Sequence, residues 1–247
     1  MKTRVLSTPA VAPRHLGRLS LRRLVRDISS VLMISGLLLV IDAGVTLVWQ
    51  EPVTAVIGLI KRSEINRQYL SFRTAPLTRT ESSTLVTLSG LHERIAYLAR
   101  REQQEVRTGD AIGQISIPKI GVSYDVVQGT DDSSLERGPG HYPATAFPGL
   151  GQTVAIAGHR TTYLAPFRHI DALTPGDRIV LTMPYAAFTY VVQYRKIVQP
   201  TALWVTDDVG YERLVLSACN PLYSAAQRII IFARLKSMTP LGPARQA

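Results

Sequence analysis

Three residues stand where apolar runs begin or end, and their types together would support acyl transfer through a thiol. Cys219, the only cysteine in 247 residues, closes RLVLSAC; Arg228, nine positions on, opens the run RIIIFARL; His159 closes TVAIAGH. A thiolate can attack a carbonyl carbon, an imidazole can carry a proton to a leaving amine, and a guanidinium can hold the negative oxygen formed between the two steps. Each type also has a plainer reading. A lone cysteine at the end of a buried strand is often an inert core residue, and 23 of the 28 basic residues are arginine, so type alone does not single out Arg228. Among the five histidines, His15 lies in a basic N-terminal lead, His92 in a connecting stretch and His169 in a predicted helix, which leaves His141 in GPGHYP as the rival to His159. A single cysteine excludes an intramolecular disulfide framework and a Cys-rich zinc site, and no metal or cofactor is expected.

The elements that must position these residues are short strands. Alternating or continuous apolar runs recur from residue 110 onward in GQISIP, VSYDVV, TVAIAGH, DRIVLTM, FTYVVQYRKIV, RLVLSAC and QRIIIFARL. Turns rich in Gly and Pro separate them, with one helical candidate at 167–173. Seven or eight strands within about 130 residues indicate a sandwich or closed barrel with decorating helices. If RLVLSAC and QRIIIFARL pair as an antiparallel hairpin, Cys219 and Arg228 share one rim of the sheet.

The strands occupy only the C-terminal half. The net charge of +10 is uneven: residues 1–30 hold seven basic side chains against Asp27 alone. This basic lead, predicted to be cytoplasmic, directly precedes the apolar run 31–49, whose 19 residues would rise about 28 Å as a helix, close to a bilayer core of about 30 Å. Asp42 costs on the order of 2.5 to 3.5 kcal/mol at mid-membrane, and eleven Ile, Leu and Val return roughly 3 to 6, so insertion is favoured. The expected topology is a single-pass signal anchor in the plasma membrane, with everything after residue 50 outside; a cleaved signal peptide is the alternative. Read this way, the positive charge serves the membrane, and no nucleic-acid partner is expected. Residues 50–109 read as an extracytoplasmic linker, solvated at the Ser/Thr-rich 78–87, with one amphipathic helix marked by Leu91, Ile95 and Leu98. The predicted catalytic domain is 110–238, and 239–247 a flexible tail.

At the three residues first named, the chain resembles the sortases. AIAGHRTTYLAPF (155–167) is similar to the sortase segment around the catalytic histidine, and LVLSACNPLYSAAQR (214–228) to the segment that holds the catalytic cysteine and arginine. The likeness extends through GPGHYP and, loosely, WQEPVTAVIGLI, and its wording is most like class E sortases of high-GC Gram-positive bacteria, the Actinobacteria. The resemblance implies a mostly β fold, a closed eight-stranded sortase-type barrel preceded by one transmembrane helix and a partly helical linker. It implies a cysteine transpeptidase that cuts a C-terminal sorting signal of LPXTG or LAXTG type between Thr and Gly and passes the thioacyl group to a cell-wall amine, with hydrolysis as a side reaction. Its partners would be surface proteins bearing that signal, a peptidoglycan precursor amine and the membrane. Carried over residue by residue, Cys219 is the nucleophile, His159 the general acid and Arg228 the donor to substrate or oxyanion, while Tyr142, Ala218 and Tyr223 are candidates for substrate binding. Ala218 departs from the pattern, because the family usually has Thr immediately before the cysteine. Two alternatives stay open: a catalytically impaired, membrane-tethered barrel that only binds, and another Cys peptidase, although papain-like enzymes place Cys before His.

Overall fold

The computed structural model describes residues 21–48, 52–73 and 77–246, so the first twenty residues of the basic lead and Trp49 lie outside the described residues. The chain divides into two units, Met1–Gly44 and Val45–Ala247. The described part of the first is helical: α1 (Leu21–Val48) is a single helix whose apolar side chains, Leu32, Leu38 and Val40 among them, are exposed. Its stretch Arg22–Val45 is long and apolar enough to cross a membrane.

In the second unit the connecting region is more helical than its composition predicts. It carries α2 (Pro52–Arg73), α3 (Arg79–Thr87) and α4 (Leu91–Glu105). The Ser/Thr-rich stretch, expected to be a solvated linker, is α3, because Thr78 and Glu81 form a capping box: the Glu81 N–H donates to Thr78 Oγ1 (3.3 Å) and the Thr78 N–H to Glu81 Oε2 (2.7 Å). In α4 the predicted apolar stripe packs on the barrel, with Ile95, Leu98 and Ala99 in the main core.

Eight strands follow: β1 (Ala111–Ile117), β2 (Val122–Gln128), β3 (Gly140–His141), β4 (Thr153–Ala157), β5 (Arg178–Thr182), β6 (Ala186–Val198), β7 (Arg213–Asn220) and β8 (Gln227–Pro240), with α5 (Asp132–Leu135) between β2 and β3. They close into a barrel in the order β1-β2-β3-β4-β7-β8-β6-β5. Two neighbouring pairs, β2·β3 and β4·β7, are parallel, and the other pairs are antiparallel. Strand β3 escapes the sequence pattern because two residues show no alternation. The helical candidate at 167–173 shortens to one 3-10 turn, Ile170–Ala172.

The terminus departs from the predicted flexible tail. Strand β8 continues to Pro240, the Leu241 N–H donates to the Tyr185 carbonyl (2.8 Å), and α6 (Gly242–Gln246) buries Ala244 in the core. Long pairing with β6, from Ala186↔Pro240 to Val198↔Arg228, fixes this end.

Candidate active site

Two strands bring together two of the sequence-selected residues. Strand β7 runs antiparallel to β8 in a register that sets Cys219 directly opposite Arg228. The preceding pair, Ala218 and Ile229, enters the main core, so side-chain alternation turns Cys219 and Arg228 to the other face. On that face Val215, Ile230, Phe232, Ala155 and Val205 form a second apolar cluster, with Tyr142 packed against it. Strand β4 lies parallel to β7, Ala155 beside Val215 and Ala157 beside Ser217. The Gly158 N–H extends that ladder by one hydrogen bond, to the Ser217 carbonyl (3.0 Å), and His159 follows where the chain leaves β4. Gly158 is required here, since a Cβ would stand 2.5 Å from the Phe167 ring, and Phe167 in turn donates its N–H to the His159 carbonyl (2.9 Å).

The imidazole of His159 is partly enclosed. Its Nε2 is buried with no hydrogen-bond partner among the described residues, and its ring lies 5.3 Å, centroid to centroid, from that of Tyr163. Burial lowers its pKa from the ordinary histidine value, while the carboxylates of Asp132 and Glu136 act against that shift. The guanidinium of Arg228 is turned onto its own loop, Nη1 donating to the carbonyls of Ala225 (2.9 Å) and Gln227 (3.0 Å).

His141, the rival, is structural. It is 1% exposed, with Nδ1 2.8 Å from Gln128 Oε1, and Nε2 3.1 Å from both the Ala146 carbonyl and Thr145 Oγ1. Burial pushes its pKa down to about 4.

Of the substrate-binding candidates, Tyr142 lies on the cluster that runs up to Cys219. Tyr223 is exposed in the β7–β8 loop, where its hydroxyl accepts from Arg168 Nη2 (3.1 Å). Ala218 is not brought to that face: it is 3% exposed and points into the core. A methyl group suits that position, because a threonine hydroxyl there would need a buried partner.

Sequence reasoning missed Arg160, although it stands next to His159. It is 4% exposed, and Nη1 donates to the Cys219 carbonyl (3.3 Å) and Asn220 Oδ1 (3.1 Å). Nη2 meets Asp171 Oδ1 (2.9 Å) and the Arg168 carbonyl (3.3 Å). Arg160 and Arg168 therefore staple the loop after β4 to the end of β7 and the loop beyond it.

Residues 115–236 match the sortase domain family model. Sortase E of Streptomyces avermitilis, a solved structure, is 35% identical and superposes with a TM-score of 0.50 over 54% of this chain and 93% of that one. The chain belongs to the sortase family. Sortase E1 of Streptomyces coelicolor, solved with a tripeptide in its active site, gives a TM-score of 0.52 at 28% identity over 53% of this chain and 91% of that one. Among curated relatives, sortase D of Bacillus subtilis is 36% identical over 132 residues, 51% of this sortase and 65% of the relative. Sortase SrtE1 of S. coelicolor is 28% identical over 157 residues, 57% of this sortase and 45% of the relative. This sortase thus spans less than two thirds of the length of either curated relative. The likeness includes class E members, as the wording around Cys219 implies.

Proposed function

We propose that this chain is a membrane-anchored cysteine transpeptidase that cuts a C-terminal sorting signal of LPXTG or LAXTG type between Thr and Gly and attaches the protein to a cell-wall amine. The observation that supports the reading is the register that pairs Cys219 with Arg228 across β7 and β8, with His159 following the end of β4, the strand parallel to β7. In the first step the Cys219 thiolate attacks the Thr carbonyl carbon, forming a C–S bond and a tetrahedral oxyanion, for which Arg228 is the donor once it swings off its loop. Collapse breaks the C–N bond to Gly, and the His159 imidazolium gives its proton to the departing amine. An incoming amine then attacks the thioester, returns a proton to His159 and releases Cys219 as thiolate. Water in place of the amine gives hydrolysis. The Arg228 fork must leave the loop carbonyls to reach an oxyanion, a rearrangement that substrate binding would drive.

The apolar face of Tyr142, Val215 and Ile230 supports an extended peptide leading up to Cys219. Exposed apolar side chains along α1, over a stretch of about 36 Å, support anchoring, and the basic lead supports a cytoplasmic N-terminus with the barrel outside. The competing reading, an impaired barrel that only binds, would rest on Ala218, a residue that lies in the core rather than on the face of Cys219.

The test uses the full chain in detergent micelles with LPXTG and LAXTG peptides and an amine. A ligated product, with a Cys219 thioester adduct seen by mass when the amine is withheld, is the expected result. A chain that bound peptide but formed neither product nor adduct would reject the reading.

A further inference from the structure

The segment after His159 is held in an unusual shape from outside the barrel. Tyr163, Leu164 and Ala165 have φ of 48°, 64° and 42°, a left-handed turn built from three residues with side chains. Such backbone persists only where its surroundings over-determine it. Part of the support is local: the Ala165 N–H donates to the Thr162 carbonyl (2.8 Å), and the Tyr124 hydroxyl to the Leu164 carbonyl (3.2 Å). The rest comes from α2. Gly58 lies against the turn so closely that a Cβ would stand 3.0 Å from Leu164 Cγ and 3.2 Å from the Tyr163 carbonyl carbon. One turn along the same helix face, Lys61 is ion-paired with Glu136, whose other oxygen accepts from the Tyr163 hydroxyl (3.0 Å). The Tyr163 ring is the one that faces His159.

We propose that α2 is a positioning element of the active site: through Gly58 and Lys61 it fixes the left-handed turn and the Glu136 carboxylate, and through them the placement and charge state of His159. The proposal rests on the reading of His159 as proton carrier. The groups that act on this imidazole agree with it. Asp132, Glu136 at the end of α5 and the ring of Tyr163 act on it from the α5 and loop sides, and Lys61 acts through Glu136. Hydrogen bonding to Lys61 and then to Tyr163 holds the Glu136 carboxyl below its usual range, so it is ionised at neutral pH and favours imidazolium. Removing that charge lowers the His159 midpoint; loosening it from α2 disturbs the ring without touching any group that contacts substrate. In chain order α2 is the first described element after α1 and precedes the first barrel strand.

The experiment titrates His159 by NMR in full chain labelled at histidine Cε1, in micelles, and measures kcat and KM for peptide ligation in parallel. The variants are Glu136→Gln, Lys61→Met, Lys61→Arg and Tyr163→Phe, with Arg67→Met, exposed on the same helix and bonded among the described residues to the Ser63 carbonyl, as control. Expected are a lower His159 midpoint in Glu136→Gln, a shifted His159 resonance in Lys61→Met and Tyr163→Phe, and roughly 10-fold lower kcat with KM nearly unchanged in all three. Lys61→Arg should recover most of the loss, and the control should change neither readout. A His159 resonance and midpoint that stay at the wild-type position in Glu136→Gln, Lys61→Met and Tyr163→Phe would overturn the proposal. The titration needs no substrate, so a chain that ligates no peptide would sink the transpeptidase reading while still deciding this one.

Discussion

Arg160 donates a hydrogen bond to the main-chain carbonyl of Cys219, so the residue after the proposed general acid grips the backbone of the proposed nucleophile. The two segments meet as neighbouring parallel strands and share little else beyond the ladder. A buried guanidinium satisfied by the Cys219 carbonyl, Asn220 Oδ1, the Arg168 carbonyl and Asp171 makes their relative position a single state. Its carboxylate partner is about half exposed, so the pair itself carries little stability; the geometry is the greater contribution.

Arg160→Met should therefore cost more in rate than in peptide binding. We expect kcat to fall by roughly 10- to 100-fold, since a small misplacement of reacting groups has that effect, with KM within a factor of a few. Arg160→Lys should recover little, because an ammonium cannot reach this set of acceptors with the planar fork. Steady-state ligation kinetics check both, and a wild-type kcat in the Met variant would reduce Arg160 to a packing residue.

The cross-strand pair makes a different prediction. Cys219→Ala should abolish ligation and hydrolysis together, with an unchanged fold by circular dichroism, because the side chain is only partly buried and alanine fits a strand end. Arg228→Lys keeps the charge but loses the fork, and should lose on the order of 10²-fold in kcat if one oxyanion donor is removed. A Lys variant as fast as wild type would make Arg228 a surface cation.

The parts of the site visible in the sequence are those that sit on long strands. RLVLSAC and QRIIIFARL announce their pairing, and with it the meeting of Cys219 and Arg228, through uninterrupted apolar runs. His159 is visible as the end of a buried strand, but its parallel alignment with β7 is not, because the partners are 60 residues apart and no turn signal links them. Arg160, Glu136 and Lys61 are illegible for a related reason. An arginine in a chain with 23 of them carries no mark until its acceptors are placed around it. In the connecting region α4 was legible from its apolar stripe, whereas α3 was hidden by its polar composition: it is set by a capping box and by packing of Leu85, a single buried residue.

For α1 the expected outcome is membrane retention. Its exposed Leu, Ile and Val side chains favour the bilayer, and the basic residues ahead of it favour a cytoplasmic N-terminus. Full-length protein should sediment with membranes, resist extraction by high salt, and be shaved by protease added to spheroplasts. Recovery in the soluble fraction, or a mature N-terminus near Gly44, would reject the anchor.

His141 should make stability depend on pH, and the sign is fixed by its burial. Its folded pKa is about 4, against about 6.5 in an unfolded chain. Between those values the unfolded state binds the extra proton, so stability is fully present above about pH 6.5 and is lost as pH falls towards 4. A difference of about 2.5 units corresponds to roughly 3 kcal/mol. Three carboxyls work in the other direction. Burial pushes Glu102 and Glu212 up, and Asp125 with them, so the folded state holds their protons more tightly and gains stability as pH falls. The wild-type curve therefore mixes opposing slopes, and only a difference between proteins isolates the histidine. His141→Gln keeps a polar group near Gln128 and Thr145 but cannot titrate. Denaturant melts of wild type and variant at pH 7 and pH 4 should show wild type losing roughly 3 kcal/mol more than the variant over that interval. Parallel losses in the two proteins would mean that His141 is already protonated in the folded barrel, with the Ala146 carbonyl and Gln128 both accepting from its ring.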